Sequence, residues 1–208
     1  MKTWIRSNKQ ISERIIMKYY YTLLGSCICA FLLCIASVNA QSANLLKEGS
    51  QTPFGNLDKT PMLGNIVYGR QPDESTIPML KEQGFNLILS VRYDDEPADY
   101  DARKVIEKNG MSFVQISYLK GSINDKVRHV DDEAVTQIKQ VIEGAIDNGG
   151  KVLLHCQSGQ RAAAALGSIL YRDYGFSKEE AKKYALKAGL TSKNTGAIYD
   201  RYIDSIER

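Results

Sequence analysis

Lys151-Val152-Leu153-Leu154-His155-Cys156-Gln157-Ser158-Gly159-Gln160-Arg161 is the stretch on which the fold turns. Its first five residues form a short, nearly continuous apolar run behind the turn Asp147-Asn148-Gly149-Gly150. That is the pattern of a strand buried on both faces. A helix is expected from about Arg161 to Tyr174. Strand, tight loop and helix in that order make one unit of an α/β sheet, and ligands on such sheets gather beyond the carboxyl ends of the strands. Cys156 lies directly at such an end.

The loop residues suit an anion. The first turn of a helix carries unpaired amide donors and partial positive charge. A tight loop there can aim several N–H groups at one point. Gly159 permits a backbone conformation that a side chain would oppose. Arg161 is permanently charged and can grip two oxygens of a tetrahedral anion. The same positive field favours the thiolate, the nucleophilic form of Cys156. Thiolate, amide cradle and guanidinium together suit attack on phosphorus or sulfur. The plainer reading is a buried, inert cysteine in a connecting loop. Its place between a strong strand and a helix, with a Gly and an Arg for company, argues for the reactive one.

Working outward, strand and helix signals alternate. Asn65 to Tyr68 reads as a strand broken by Gly69-Arg70-Gln71-Pro72, and Ile77 to Gln83 as a helix stopped by Gly84. Asn86 to Val91 is an apolar strand. A helix over Tyr100 to Lys108 stops at Asn109-Gly110, and Ser112 to Ser117 is a further strand. Asp131 to Ile146 carries Ala134, Ile138, Val141, Ile142 and Ala145 at helical spacing. Ser177-Lys178-Glu179-Glu180 is a capping box that opens the next helix, and a last one runs from about Thr195 to Ile206. The expected architecture is α/β, with a mainly parallel central sheet and helices on both faces.

The N-terminal end reads differently. Lys18 is followed by an apolar run from Tyr19 to Val38 that ends in Val38-Asn39-Ala40, the form of a signal peptide cut after Ala40. Met17 is an alternative start, since Met17 to Ala40 makes a compact leader by itself. A membrane anchor is the competing reading of the run. A lipoprotein signal at Leu24-Gly25-Ser26-Cys27 is weaker, because the run continues past Cys27. Residues 41–62 are polar and punctuated by Gly49, Pro53, Gly55 and Pro61, an expected arm or linker. Residues 63–208 are then the domain that carries the site.

Removing the leader changes the balance of charge. The chain has 27 basic and 24 acidic residues; five basic and one acidic fall in residues 1–40, leaving 22 against 23. The apparent basicity therefore says nothing of nucleic acid, and no basic stripe with interleaved aromatics appears. Of four cysteines, Cys27, Cys29 and Cys34 sit in the leader, so Cys156 alone remains and no internal disulfide can form. His129 has no ligand-spaced partner, so neither a zinc site nor any other cofactor is expected.

The order His155-Cys156-x-x-Gly159…Arg161 resembles the cysteine-dependent protein phosphatases, of the tyrosine and dual-specificity types. Gly69-Arg70-Gln71-Pro72, a helix, Gly84-Phe85, then Leu87-Ile88-Leu89-Ser90-Val91-Arg92 and an acidic turn resemble the N-terminal half of a small bacterial phosphatase-like domain. That domain is named after its fusion to beta-lactamase-like hydrolases. The likeness spans about Pro61 to Leu190. It implies a protein-tyrosine-phosphatase-like fold, Cys156 as nucleophile, and Arg161 with the backbone of Gln157, Ser158, Gly159 and Gln160 around the anion. Ser158 or Gln160 could also donate from its side chain. His155 would tune the thiol through the loop; the plainer alternative is a strand-end His satisfied by the backbone. A general acid is expected from a loop over the pocket, with Asp125 the best placed and Asp94 and Asp95 the alternatives. Asp131 and Asp132 read as a helix start. Arg92 either faces the pocket or makes a local ion pair.

The chain departs from the pattern in two ways. Ordinary members place one residue more between Cys and Arg than the four found here. The fusion subfamily shares the shorter spacing, and so do rhodaneses, which carry sulfur on the cysteine. Ala162 stands where a hydroxyl residue usually helps the thiolate leave the phosphoenzyme, so slow dephosphorylation is expected. Three functions follow. The first is an exported, periplasmic or secreted phosphatase acting on a phosphorylated protein or small phosphoester. The second is a rhodanese-like sulfurtransferase with a persulfide on Cys156. The third is a non-catalytic anion-binding module. No membrane contact beyond the leader is expected, and no dimerisation signal is legible.

Overall fold

The structure, a computed structural model, describes residues 48–51, 53–57 and 60–207. The expected leader, its cleavage site and the first part of the expected arm lie outside them. In chain order the elements are β1 (Glu48–Gln51), β2 (Thr60–Leu63), β3 (Ile66–Gly69), α1 (Thr76–Glu82), β4 (Phe85–Ser90), α2 (Ala102–Lys108), β5 (Ser112–Gln115), α3 (Asp132–Asp147), β6 (Lys151–His155), α4 (Gln160–Arg172), α5 (Lys178–Lys187) and α6 (Lys193–Ser205).

The sheet has six strands in the order β1-β2-β3-β6-β4-β5. The run β3-β6-β4-β5 is parallel throughout, so the strand that leads to Cys156 is central. Its position follows from its side chains. Val152, Leu153 and Leu154 are fully buried, and each burial stabilises by roughly 1.5–3 kcal/mol. Alternate residues face opposite ways. Leu153 joins Ile77 and Leu80 of α1 and Ile106 of α2 on one face. Val152 and Leu154 join Val135, Ile138 and Ile142 of α3 and the buried residues of α4 on the other. A one-residue slip would exchange these two sets, so the register of β6 is firmly fixed.

Helices thus cover both faces of a mainly parallel sheet, as the alternation of signals predicts. The addition is at one edge. Residues 48–51 and 60–63, within the segment whose polar composition reads as an arm, form β1 and β2 and extend the sheet antiparallel from β3. The ordered sheet therefore begins before residue 63. Backbone pairing holds these strands, and an antiparallel edge can keep one face wet, so Glu48-Gly49-Ser50-Gln51 carries no apolar signature.

Helix α4 is the hub of the second face. Ala162 to Ala165 are all fully buried, which lets the helix lie close on the sheet. At Gly167 an added Cβ would come within 2.9 Å of Ala185 Cβ and Tyr199 Cε2, so α5 and α6 pack where only a glycine fits. Local capping behaves as read. Ser177 and Glu180 close both bonds of the capping box, and the Asp131 carboxylate accepts from the Glu133 N–H at 3.1 Å to start α3.

Candidate active site

The loop from Cys156 to Arg161 is stapled to the end of β3. The Cys156 N–H donates to the Gly69 carbonyl at 3.4 Å, and the Gln71 N–H donates to the Gln157 carbonyl at 3.3 Å. Gly159, the cap of α4, has φ 89°, a left-handed conformation open to glycine. A Cβ there would also stand 3.2 Å from the Gly69 carbonyl carbon. Gly69-Arg70-Gln71 is therefore the counterpart against which the loop is shaped.

Arg161, in the first turn of α4, reaches across to Glu96. Its Nη1 and Nη2 donate to the two carboxylate oxygens at 2.6 and 2.8 Å, a bidentate pair. Glu96 also faces Arg92, whose Nε lies 3.2 Å from Oε1 as an ion pair without the alignment of a hydrogen bond. Arg92 further donates to the Gln71 side chain and the Pro97 carbonyl. The side chains of Arg92, Glu96 and Arg161 are 6%, 4% and 12% exposed, so this is a buried charge cluster. Burial opposes the Glu96 charge, yet the bonds and charges of Arg161 and Arg92 hold its carboxyl below the ordinary range. Burial likewise pulls the Arg161 guanidinium down; Glu96 and the adjoining Cys156 sulfur more than offset it.

Cys156 is a free thiol, 1% exposed. The residues that follow it in the loop, Gln157, Ser158, Gln160 and Arg161, line a cavity of about 880 Å³ together with Asp125 from the loop before α3. The structure thus brings together Arg161, Asp125 and three of the four expected loop residues. Gly159 is buried beneath them. The Asp125 carboxylate folds back on its own loop and accepts from the Ser122 N–H at 2.8 Å. A Cβ at Gly121 would strike that carboxylate, so Gly121 gives it room.

Other expected residues have different places. The Gln160 side chain is turned from the anion loop to the start of α6. Its Oε1 accepts from the Thr191 and Ser192 N–H groups, each at 2.8 Å, and its Nε2 donates to Thr191 Oγ1 at 2.9 Å. Asp94 accepts from Gln115 Nε2 at 3.1 Å, and Asp95 from the Ser122 hydroxyl and the Ile123 N–H. Those bonds, Ser122 first, hold the exposed Asp95 carboxyl below its usual range. Asp95 therefore ties down the loop that carries Asp125.

His155 shares the sheet face of Leu153, opposite Cys156, because strand residues alternate. Its side chain consequently lines a second, smaller cavity of about 250 Å³ with Gln71, Ser90, Arg92 and Glu96. Its Nδ1 lies 3.4 Å from the Cys156 carbonyl, which can only accept, so the ring carries its proton on Nδ1. Nε2 has no partner among the described residues. Burial, aided by the charges of Arg92 and Arg161, pushes the imidazole down to about 4, so it is neutral near pH 7. The His155 ring meets the loop at the Cys156 carbonyl and lies in the smaller cavity, apart from the one lined by Arg161.

Glu96 is the main residue that sequence reasoning missed. Its spacing from Arg92, four positions, is the legible sign of the local pair, but the bond to Arg161 spans 65 positions and leaves no local trace. Tyr93 was missed for the same reason. It is buried, with the Arg161 and Arg128 guanidinium carbons 5.5 and 5.8 Å from its ring centroid. Among the described residues no group of three or more His, Cys, Asp or Glu side chains is placed to hold a metal ion.

No protein-family model matches the chain, and no curated protein matches it in sequence. The likeness is three-dimensional. Tk-PTP in its active form superposes with a TM-score of 0.53 at 21% identity, covering 68% of this chain and 92% of that one. TpbA of P. aeruginosa, as a Cys-to-Ser variant in complex with phosphotyrosine, gives 0.57 at 14% identity, over 76% and 90%. PTPMT1 in complex with PI(5)P gives 0.53 at 15%, over 67% and 90%. The fold is therefore that of the protein-tyrosine-phosphatase-like structures.

Proposed function

We propose that the chain is a cysteine-dependent phosphatase that hydrolyses phosphate monoesters, of a protein or a small molecule, through a phosphoenzyme on Cys156. The observation that carries this reading is the setting of Cys156. It stands at the carboxyl end of the central strand, in one loop with an arginine that is fixed bidentately and lines a cavity. In the proposed cycle the Cys156 sulfur bonds to phosphorus as the bond to the leaving oxygen breaks. That oxygen takes a proton from Asp125, which lines the same cavity. Water then attacks phosphorus, the S–P bond breaks and inorganic phosphate departs. Arg161 and the loop amides stabilise the phosphoryl oxygens. Neighbours of this fold in complex with phosphotyrosine and PI(5)P support phosphoester substrates.

The test is hydrolysis of an aryl phosphate by the full chain, from mildly acidic to neutral pH, beside Cys156→Ser. Turnover that falls to background in the variant is expected. A folded chain with no turnover would overturn the reading. The sulfurtransferase alternative rests on the short Cys–Arg spacing alone, and no feature of the site favours it.

The proposed site of action is outside the cytoplasm, with residues 1–40 as a cleaved signal peptide. This rests on the form of the segment. N-terminal sequencing of the exported protein should begin at Gln41; a retained leader would make it an anchor.

A further inference from the structure

Beyond the Cys156 loop, the lining of the large cavity is basic. Lys126 and Arg128 come from the loop before α3 and Arg201 from α6, and Asp125 is the lone carboxylate in the lining. Among the described residues, none of the three cations makes an ion pair with a carboxylate. Nearby cations on the outer surface behave differently: Lys178 pairs with Asp204 and Lys182 with Asp200. Asp200 adjoins Arg201 in sequence, yet its carboxylate is taken by Lys182. Like charges gathered without a counter-charge repel one another and favour an incoming anion.

Two of these cations are held in place. Arg128 Nη2 donates to the Ile123 carbonyl at 2.9 Å, and Arg201 Nη2 donates to the Arg128 carbonyl at 3.3 Å. The Tyr93 ring contacts Arg128 and also Arg161. One buried ring therefore sets the spacing between the loop arginine and the wall arginine. At about 880 Å³ the cavity belongs to the class that encloses whole small molecules, not a phosphoryl group alone.

We propose that Arg128 and Arg201, assisted by Lys126, form a second anion subsite, so that the favoured substrate is a phosphoester carrying a second phosphate group. This rests on the phosphatase reading and adds a substrate class to it. The scissile phosphate sits at Arg161 and the Cys156 loop; the second phosphate meets the wall guanidinium groups, which suit it by geometry and charge.

The experiment compares inositol 1,4-bisphosphate with inositol 4-phosphate on the full chain. The expected kcat/KM favours the bisphosphate by about tenfold, the worth of one charge-assisted hydrogen bond. The ratio should fall toward one in the Arg128→Gln/Arg201→Gln variant, and partway in Arg201→Gln, whose side chain is exposed. Equal rates in the unaltered chain, or a ratio that survives the double substitution, would overturn the proposal. Calorimetric binding of both compounds to Cys156→Ser separates the two readings. Preferential binding of the bisphosphate without turnover in the unaltered chain would sink the phosphatase reading and keep the subsite; equal binding would sink the subsite. Vesicles carrying phosphatidylinositol 4-phosphate form a further arm. Faster turnover of the vesicle form assigns a lipid headgroup and faster turnover of the soluble form a free phosphoester; a rate on the preferred form that falls in Arg128→Gln/Arg201→Gln supports the second subsite, and one that does not fall overturns it.

Discussion

Two segments meet at Arg161, and they are built on different physics. The loop Cys156–Arg161 is shaped by backbone: a left-handed Gly159, a strand end and two hydrogen bonds to residues 69–71. The turn at residues 92–97 is shaped by charge: Glu96 between two arginines, in a nearly dry setting. Backbone geometry fixes where an anion could lie. The charge cluster fixes where the one permanent cation of the loop points. A site needs both, and each fails in its own way.

The charge-held turn should break hardest. Glu96→Ala leaves Arg92 and Arg161 buried without their carboxylate, a change of about 3–5 kcal/mol. An unfolding free energy from urea titration lower by that amount is expected. A shift within error would mean that water already shares the cluster, and the contrast between the two segments would disappear. Activity of the variant on an aryl phosphate should fall as well, since Arg161 loses its anchor.

The backbone-held loop should break at Gly159. Gly159→Ala places a side chain at φ 89° and within 3.2 Å of the Gly69 backbone. The expected loss is about 2–3 kcal/mol, together with a large fall in turnover. If Gly159→Ala were neutral in both measurements, the loop would not depend on the left-handed residue.

The smallest effect sharpens the comparison by pH. His155 lies beside both segments and has an ordinary value of 6.5 against about 4 when folded. Between those values the unfolded chain binds the proton more readily, so stability falls as pH drops through that window. The loss should be roughly 2 kcal/mol from pH 6.5 to 5. Glu96 is depressed below 4.5 and adds its own loss only at lower pH, so the upper part of the window reports His155. Unfolding midpoints at pH 7 and 5 should differ in the native chain and converge in His155→Gln. An equal slope in both would place the titrating group elsewhere.

Much of this was legible in the residues. Period and length identified the central strands and the six described helices to within a few positions, because burial of Val152 to Leu154 or of one face of α3 imprints a local pattern. Cap residues such as Ser177 and Asp131 were legible because a helix end is satisfied within four positions. The edge strands were not, since Glu48 to Gln51 gain their pairing from another strand and show no apolar alternation. The role of the Gln160 side chain was not legible either: its partners, Thr191 and Ser192, lie 31 and 32 positions away.

The sequence by itself determined the strand, loop and helix around Cys156 and the fold class that such a unit implies. Those are set by neighbours a few bonds apart. The tertiary structure alone decided that Arg161 is held by Glu96, that the Gln160 side chain bonds Thr191 and Ser192, and that Arg128 and Arg201 share a wall with the loop. Each of those depends on bringing distant segments to the carboxyl ends of the central strands, where burial strengthens charge pairing that a solvated chain would not sustain.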